Sequence, residues 1–292
     1  MTLSELSFGP FHLYTIETGR FWLDGGAMFG VVPKTLWSRQ IQADEKNRIP
    51  MATRCLLIAS ENTDRTYLID NGCGTKFGEK MEKIYQLDHT HSSLTDSLNS
   101  HGFESGDITD LILTHLHFDH CGGTTYYDDT GELRHTFPKA SYHVPRKHME
   151  TATDPNAREK ASFLPDNIQP IAQWDKLNLV EESHTYEEGL EALPVNGHTI
   201  SQQLPKITVG EKTIIFVADL LPTHIHVPLP WIMGYDMRPI DTLNEKESFL
   251  EQAVAKNWYL FLEHDAQEEV ITVEKKNGKY AVKDRLSLGD IS

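Results

Sequence analysis

The chemistry of this chain concentrates in one short stretch, Leu111-Ile112-Leu113-Thr114-His115-Leu116-His117-Phe118-Asp119-His120-Cys121-Gly122-Gly123. An apolar run ends there in His-x-His-x-Asp-His. Neutral imidazole and carboxylate together suit a borderline divalent ion such as zinc. Residues two apart on a strand point the same way, so His115 and His117 share a direction. Asp119 and His120 come after the end of the strand and can be aimed at a second, adjacent ion. Gly122 and Gly123 let the chain turn sharply beyond the motif. No Gly-x-Ser-x-Gly elbow and no Cys–His signature is present, so the expected nucleophile is solvent and not a side chain. Cys121 adjoins the motif but reads as a buried, inert thiol.

Strand runs surround this stretch and must position it. FHLYTIE and RFWLDGG flank Thr18-Gly19 and predict an opening hairpin, and RCLLIAS and RTYLIDNG predict a second strand pair. The connection between them, GAMFGVVPKTLWSRQIQADEKNRIP, is long enough to be an ordered flap. Leu94 and Leu98 predict a short helix stopped by Gly102. DLILTH, KASYHVP, LNLVEE and LEALPVNG read as strands. KITVGEKTIIFVAD reads as a hairpin turning at Gly210-Glu211. Asp241 predicts the N-cap of a helix to about Asn257 with Leu243, Phe249, Leu250, Ala253 and Val254 on one stripe. WYLFLEHD and the hairpin VITVEKKNGKYAVKD, turning at Asn277-Gly278, complete the pattern. No linker divides the chain, so a single α/β domain over residues 1–292, built of two sheets, is expected.

With these residues in place the sequence resembles the metallo-β-lactamase superfamily, over roughly residues 10 to 284. Besides the His115–His120 motif, it has Gly197-His198-Thr199, Val217-Ala218-Asp219 at the end of an apolar run, and Glu263-His264-Asp265 after WYLFL, in the family's order. The resemblance implies an αββα sandwich of two mixed β-sheets flanked by helices. It implies two divalent metal ions, zinc being expected: His115, His117 and His198 on the first, Asp119, His120 and His264 on the second, with Asp219 bridging. Asp70 matches the family's acidic strand-end residue, which supports a ligand from behind. A hydroxide held between the ions would attack the substrate, and Asp119 would shuttle the proton. The motifs look most like N-acyl-homoserine-lactone lactonases and methyl-parathion-hydrolase-like enzymes. Those lactonases carry a tyrosine three residues after the bridging carboxylate, where this chain has Pro222; Tyr235 is the candidate to reach the same space. The segment after Asp219 and the flap supply the expected pocket residues Met28, Phe29, His224, His226, Trp231 and Tyr235.

Composition narrows the partners. Of 292 residues, 27 are basic and 43 acidic, for a formal charge of −16. Nucleic acid is excluded as an expected partner, because no basic patch offsets that field. No run approaches the ~20 apolar residues of a membrane helix, and the opening lacks a basic-then-apolar export signal. Three cysteines without a CxxC pair fit a reducing cytoplasm. The expected partner is a small-molecule substrate, with a homodimer allowed. A small neutral ester, lactone or phosphotriester is expected, since no arginine cluster clamps an anion. The alternatives are a thioester hydrolase of the glyoxalase II type and a non-catalytic metal-binding sensor. A full ligand set argues against the sensor.

Overall fold

The computed structural model describes residues 4–291. Its first half forms one seven-stranded sheet and its second half another, and in each the strands lie side by side in sequence order. The first sheet runs Glu5–Phe8, Phe11–Asp24, Arg48–Ser60, Thr66–Ile69, Asp110–Ile112, Ser141–Pro145 and Leu177–Val180. It is antiparallel up to Thr66–Ile69 and parallel from there on. The second runs His184–Glu187, Leu190–Val195, Gln202–Val209, Lys212–Phe216, Tyr259–Phe261, Val270–Lys276 and Lys279–Leu286. Only its Lys212–Phe216/Tyr259–Phe261 pair is parallel.

Strand alternation sorts the first sheet's side chains between two cores. Leu56, Ile58, Ile69 and Ile112 turn inward and pack with Ile214, Phe216 and Phe261 of the second sheet. Cys55, Leu57, Leu68 and Leu111 turn outward, under Leu98, Met149, Ala152 and Ile168 of the helices Leu94–Ser100, Arg146–Thr153 and Pro165–Ala172. On the second sheet's side, Phe249, Leu250 and Ala253 of helix Pro239–Lys256 join the same core as Val270 and Ile271. Helices, sheet, sheet and helix are thus stacked as the αββα expectation requires.

Two expectations need correction, and a third gains detail. Thr18-Gly19 is not a hairpin turn: Phe11–Asp24 is one strand whose register against Arg48–Ser60 slips between Glu17 and Arg20. The Thr18 hydroxyl donates to Thr53 O at 2.6 Å and Arg20 N to Asp88 O at 2.9 Å, which hold the bulge. A bulge and a turn favour the same small polar residues, so composition alone does not separate them. The long connection after Asp24 folds into two short helices, Gly25–Phe29 and Lys34–Trp37, the first capped by the Asp24 side chain. The last long helix starts at Pro239 and not after Asp241, as expected of proline in a first turn.

Candidate metal centre

Parallel pairing brings the chemistry to one edge. Strands Thr66–Ile69 and Asp110–Ile112 release Asp70 and Thr114-His115 at the same end, while Lys212–Phe216 and Tyr259–Phe261 release Asp219 and His264 at the same end of the other sheet. Carboxyl ends of neighbouring parallel strands are the usual place for a site in an α/β protein. The edges are joined there: Ala52 N donates to His264 O at 3.0 Å and Arg54 N to Glu263 O at 3.0 Å. Two glycines after His120 serve close approach more than a turn. A Cβ on Gly122 would lie 2.0 Å from Cys73 O, and one on Gly123 2.3 Å from Asn71 O. Two non-glycine residues beside the site have left-handed backbone, Asp70 at φ 55° and Ala218 at φ 40°. Such strain persists only where the surroundings hold it. Asp70 is held by Thr114 N (2.8 Å) and Thr114 Oγ1 (2.6 Å), both donating to its carboxylate.

The seven residues expected as ligands converge. Donor atoms of His115, His117, His198 and Asp219 lie within 4.8 Å of one another, as do those of Asp119, His120 and His264. Asp219 touches both groups: Oδ2 is 3.0 Å from His198 Nε2 and 3.5 Å from His120 Nε2, and Oδ1 is 3.2 Å from His264 Nε2. Imidazole nitrogens meet head on, His115 Nε2 and His198 Nε2 each 3.1 Å from His117 Nδ1, and His264 Nε2 3.0 Å from His120 Nε2. The outward ring nitrogens are anchored. His115 Nδ1 meets Thr114 Oγ1 at 3.1 Å, His117 Nε2 meets Glu159 Oε1 at 3.3 Å, and His198 Nδ1 meets Asp236 Oδ1 at 2.9 Å. His120 Nδ1 is 3.0 Å from both Asp70 Oδ2 and Glu263 Oε2, and His264 Nδ1 is 2.9 Å from Ala52 O.

These residues fit a pair of divalent cations. Asp219 Oδ1 is buried and makes no hydrogen bond, and its Oδ2 is shared between histidines of both groups. Facing ring nitrogens cannot all be satisfied by protons, whereas a cation accepts every lone pair. The electrostatics agree. Burial disfavours a charged ring at His198 and His264, yet Asp219 outweighs it and pushes them up to about 10 and about 9. His120 is likewise held well above the ordinary range by Glu263, Asp119 and Asp219 against burial. His115 goes the other way: burial and the neighbouring imidazoles hold it well below that range. The carboxylates therefore call for positive charge at the centre, which bound cations would supply in place of protons.

A cavity of about 220 Å³ opens over the two groups. Asp119, His117, His198, Asp219 and His264 form its floor, and Leu23, Met28, Phe118, Met233 and Met237 its apolar wall, with Tyr85 and Tyr235 among them. Of the expected pocket residues, Met28 and Tyr235 line this space, whereas Phe29, His224, His226 and Trp231 do not. Phe29 is fully buried, stacked on Trp37 and His226 at 5.3 and 4.9 Å. His226 bridges Met28 O (2.9 Å) and the Thr223 hydroxyl (2.8 Å). His224 is committed to the Asp265 carboxylate, and it and Trp231 face a separate groove beside Tyr280. Nearness to Asp219 in sequence thus misled: this loop packs the flap before its later residues reach the cavity. Sequence reasoning missed Glu159, Asp236, Tyr85 and Arg158. Asp236 adjoins Tyr235, but Arg158 and Glu159 sit in a stretch, DPNAREKAS, without periodicity or motif.

Known proteins share this architecture. The family model of the metallo-beta-lactamase superfamily matches residues 48–264. A probable metal-dependent hydrolase from Staphylococcus aureus superposes with a TM-score of 0.84 at 27% identity, over 96% of this chain and 100% of the other. The dizinc quorum-quenching lactonase AidC, in complex with the product N-hexanoyl-L-homoserine, superposes with a TM-score of 0.77 at 21% identity, over 97% of each chain. A probable metallo-hydrolase of Mycobacterium tuberculosis is 20% identical over 218 residues, 66% of each protein, so the alignment spans about two thirds of that relative.

Proposed function

Because this chain belongs to the metallo-β-lactamase superfamily, we propose that it is a metal-dependent hydrolase with two divalent ions, zinc in the first instance. Its substrate is a small lactone, carboxylic ester or phosphotriester, uncharged at the reacting bond. The observation that carries this reading is the sharing of Asp219 between the two groups of donors, three histidines on one side and Asp119, His120 and His264 on the other. His115, His117 and His198 would hold the first ion, Asp119, His120 and His264 the second, and Asp219 both. When bound, such a pair acidifies water and polarises the oxygen of the group under attack.

The chain's own residues do the rest. Asp119 is on the cavity side, its carboxylate oxygens 3.9 Å from His120 Nε2 and 3.8 Å from His264 Nε2. It is placed to take a proton from the attacking water and return it to the leaving oxygen. Tyr235 stands over the same floor and orients the substrate carbonyl through its hydroxyl, the role left open by Pro222. Met28, Met233 and Met237 give an adaptable apolar wall that excludes water from the bulk of the ligand. Glu159 and Asp236 fix the rings of His117 and His198 through their outer nitrogens.

The test is a panel on metal-reconstituted protein: neutral lactones, aryl esters and phosphotriesters against thioesters and phosphodiesters. Higher kcat/KM for a neutral ester or lactone is expected. A phosphodiester outpacing all of them would overturn the assignment, as would a saturating metal ratio of one per chain.

A further inference from the structure

The cavity wall contains a single permanent cation, Arg158. Around it the field is negative: the chain carries −16, and Asp119, Glu159 and Asp219 line the same space. Arg158 makes no ion pair among the described residues, and its neighbour Glu159 turns away to His117 Nε2, the Thr199 hydroxyl and Asn156 Nδ2. The guanidinium is tethered on one side only, Nη2 donating to Gly234 O and to Asp236 O, the latter at 3.2 Å. Of its five N–H donors, those on Nε and Nη1 meet no protein acceptor among the described residues. An exposed, half-tethered fork has lost part of its rotamer freedom before any ligand arrives, so little more is lost on binding.

We propose that Arg158 is a specificity-determining residue that binds a carboxylate on the substrate, remote from the bond being cleaved. The proposal rests on the hydrolase reading and narrows it: the reacting ester or lactone is uncharged, and the acyl part ends in an anion. The chemistry is that of a charge-assisted hydrogen bond to an oxyanion from Nη1 or Nε, since a two-point contact would need Nη2, which the two carbonyls hold. The tether places it well for this. Asp236, whose carbonyl holds the fork, also anchors His198, so the guanidinium and the first group of histidines are fixed to one loop.

The experiment uses the metal-loaded full chain and two series of 4-nitrophenyl esters. One carries a free terminal carboxylate (hemisuccinate, hemiglutarate, hemiadipate); the other is the alkanoates of matching length. At least one acid ester is expected to exceed its alkanoate about tenfold in kcat/KM, chiefly through KM, with the ratio falling as salt rises. In Arg158→Gln the ratio should collapse towards one, and Arg158→Lys should retain part of it. If no acid ester is preferred, or if Arg158→Gln lowers both series in parallel and leaves the ratio intact, the proposal is overturned and the arginine merely pins the 234–236 loop. Failure of the hydrolase reading is separable, because calorimetry of glutarate against pentanoate needs no turnover. Tighter binding of the dicarboxylate, lost in Arg158→Gln, supports the assignment even if no ester is cleaved. Equal affinities in the parent protein defeat it.

Discussion

The two groups of histidines are built differently behind the ring. Those facing the first candidate ion are steadied largely by loops that bound the cavity: Glu159 holds His117 and Asp236 holds His198. Those facing the second are steadied from within the sheets. His120 leans on Asp70 and Glu263, both fully buried, and His264 on the carbonyl of Ala52 in a strand of the first sheet. Arg54 reinforces that framework, its Nη1 donating to Leu262 O, Asp265 O and Glu268 O. One half of the centre is therefore coupled to whatever occupies the cavity, and the other to the stability of the fold.

Asp219 belongs to both halves, so its loss should have the largest effect. Asp219→Ala is expected to lower kcat/KM by about a thousandfold or more and to bring bound metal, expected at close to two per chain in the parent, to one or fewer. Elemental analysis with steady-state kinetics reads both. Intact metal content in the variant would show that the two halves do not share this carboxylate.

Replacing the anchors should separate the halves. Glu159→Gln or Asp236→Asn should lower activity about 10- to 100-fold with little change in Tm, since an outer partner tunes a ligand without holding the fold. Asp70→Ala should instead destabilise the protein by about 3 kcal/mol, because Thr114 N and Oγ1 lose their acceptor and the left-handed backbone loses its support. Denaturant titration beside kinetics distinguishes them. If Glu159→Gln lowered stability as much as Asp70→Ala, the contrast between cavity-bound and framework-bound histidines would fail.

How legible each half was depends on where its residues sit. His115 and His117 follow the strand Asp110–Ile112, and Asp119 and His120 sit on the helical turn Phe118–Cys121 directly after them, so their spacing alone announces a metal site, and the later His198, Asp219 and His264 each end an apolar run or come after a glycine. Asp70 was readable for the same reason. Glu159 and Arg158 were not, because a carboxylate and a guanidinium in a polar, irregular segment look like ordinary surface until the chain brings them to the cavity. The aromatic and histidine residues between 224 and 231 erred in the opposite direction. They look like a binding loop, yet Phe29 and Trp37 need partners, and burying those rings recruits His226 instead. In the fold, apolar alternation identified most strands of both sheets, while the long strand Phe11–Asp24 was cut in two because a bulge shares its composition with a turn.

This packing role gives a smaller expected effect. His226→Ala should lower stability by about 1–3 kcal/mol through a lost stack and two lost hydrogen bonds. Activity should change only severalfold, far less than in His198→Ala. Comparing kcat/KM for the two variants, with metal content measured in each, checks it. Equal losses with metal retained would move the 224–231 loop into the cavity's machinery.

A last effect is read in stability alone and concerns the wall of the cavity-coupled half, which is held from behind by a buried lysine. Lys246, on helix Pro239–Lys256, is 1% exposed and donates to Pro228 O (3.0 Å), Leu229 O (3.4 Å) and Trp231 O (2.8 Å), just before the loop that carries Met233 and Tyr235. Burial lowers its ammonium to about 7, with Asp236 opposing the shift. The unfolded chain keeps this proton to about pH 10.4, so between those limits the unfolded state binds more protons and folding gains as the pH rises. The gain is at most about 1.4 kcal/mol per pH unit, and below pH 7 the cost of burying the charge is carried in full. Lys246→Met removes this contribution. Denaturant unfolding between pH 6 and 9 should therefore show the parent protein gaining stability relative to the variant as the pH rises. A difference that stays flat across that range would mean that the three carbonyls hold the ammonium charged throughout, and that the wall of the cavity is indifferent to its proton.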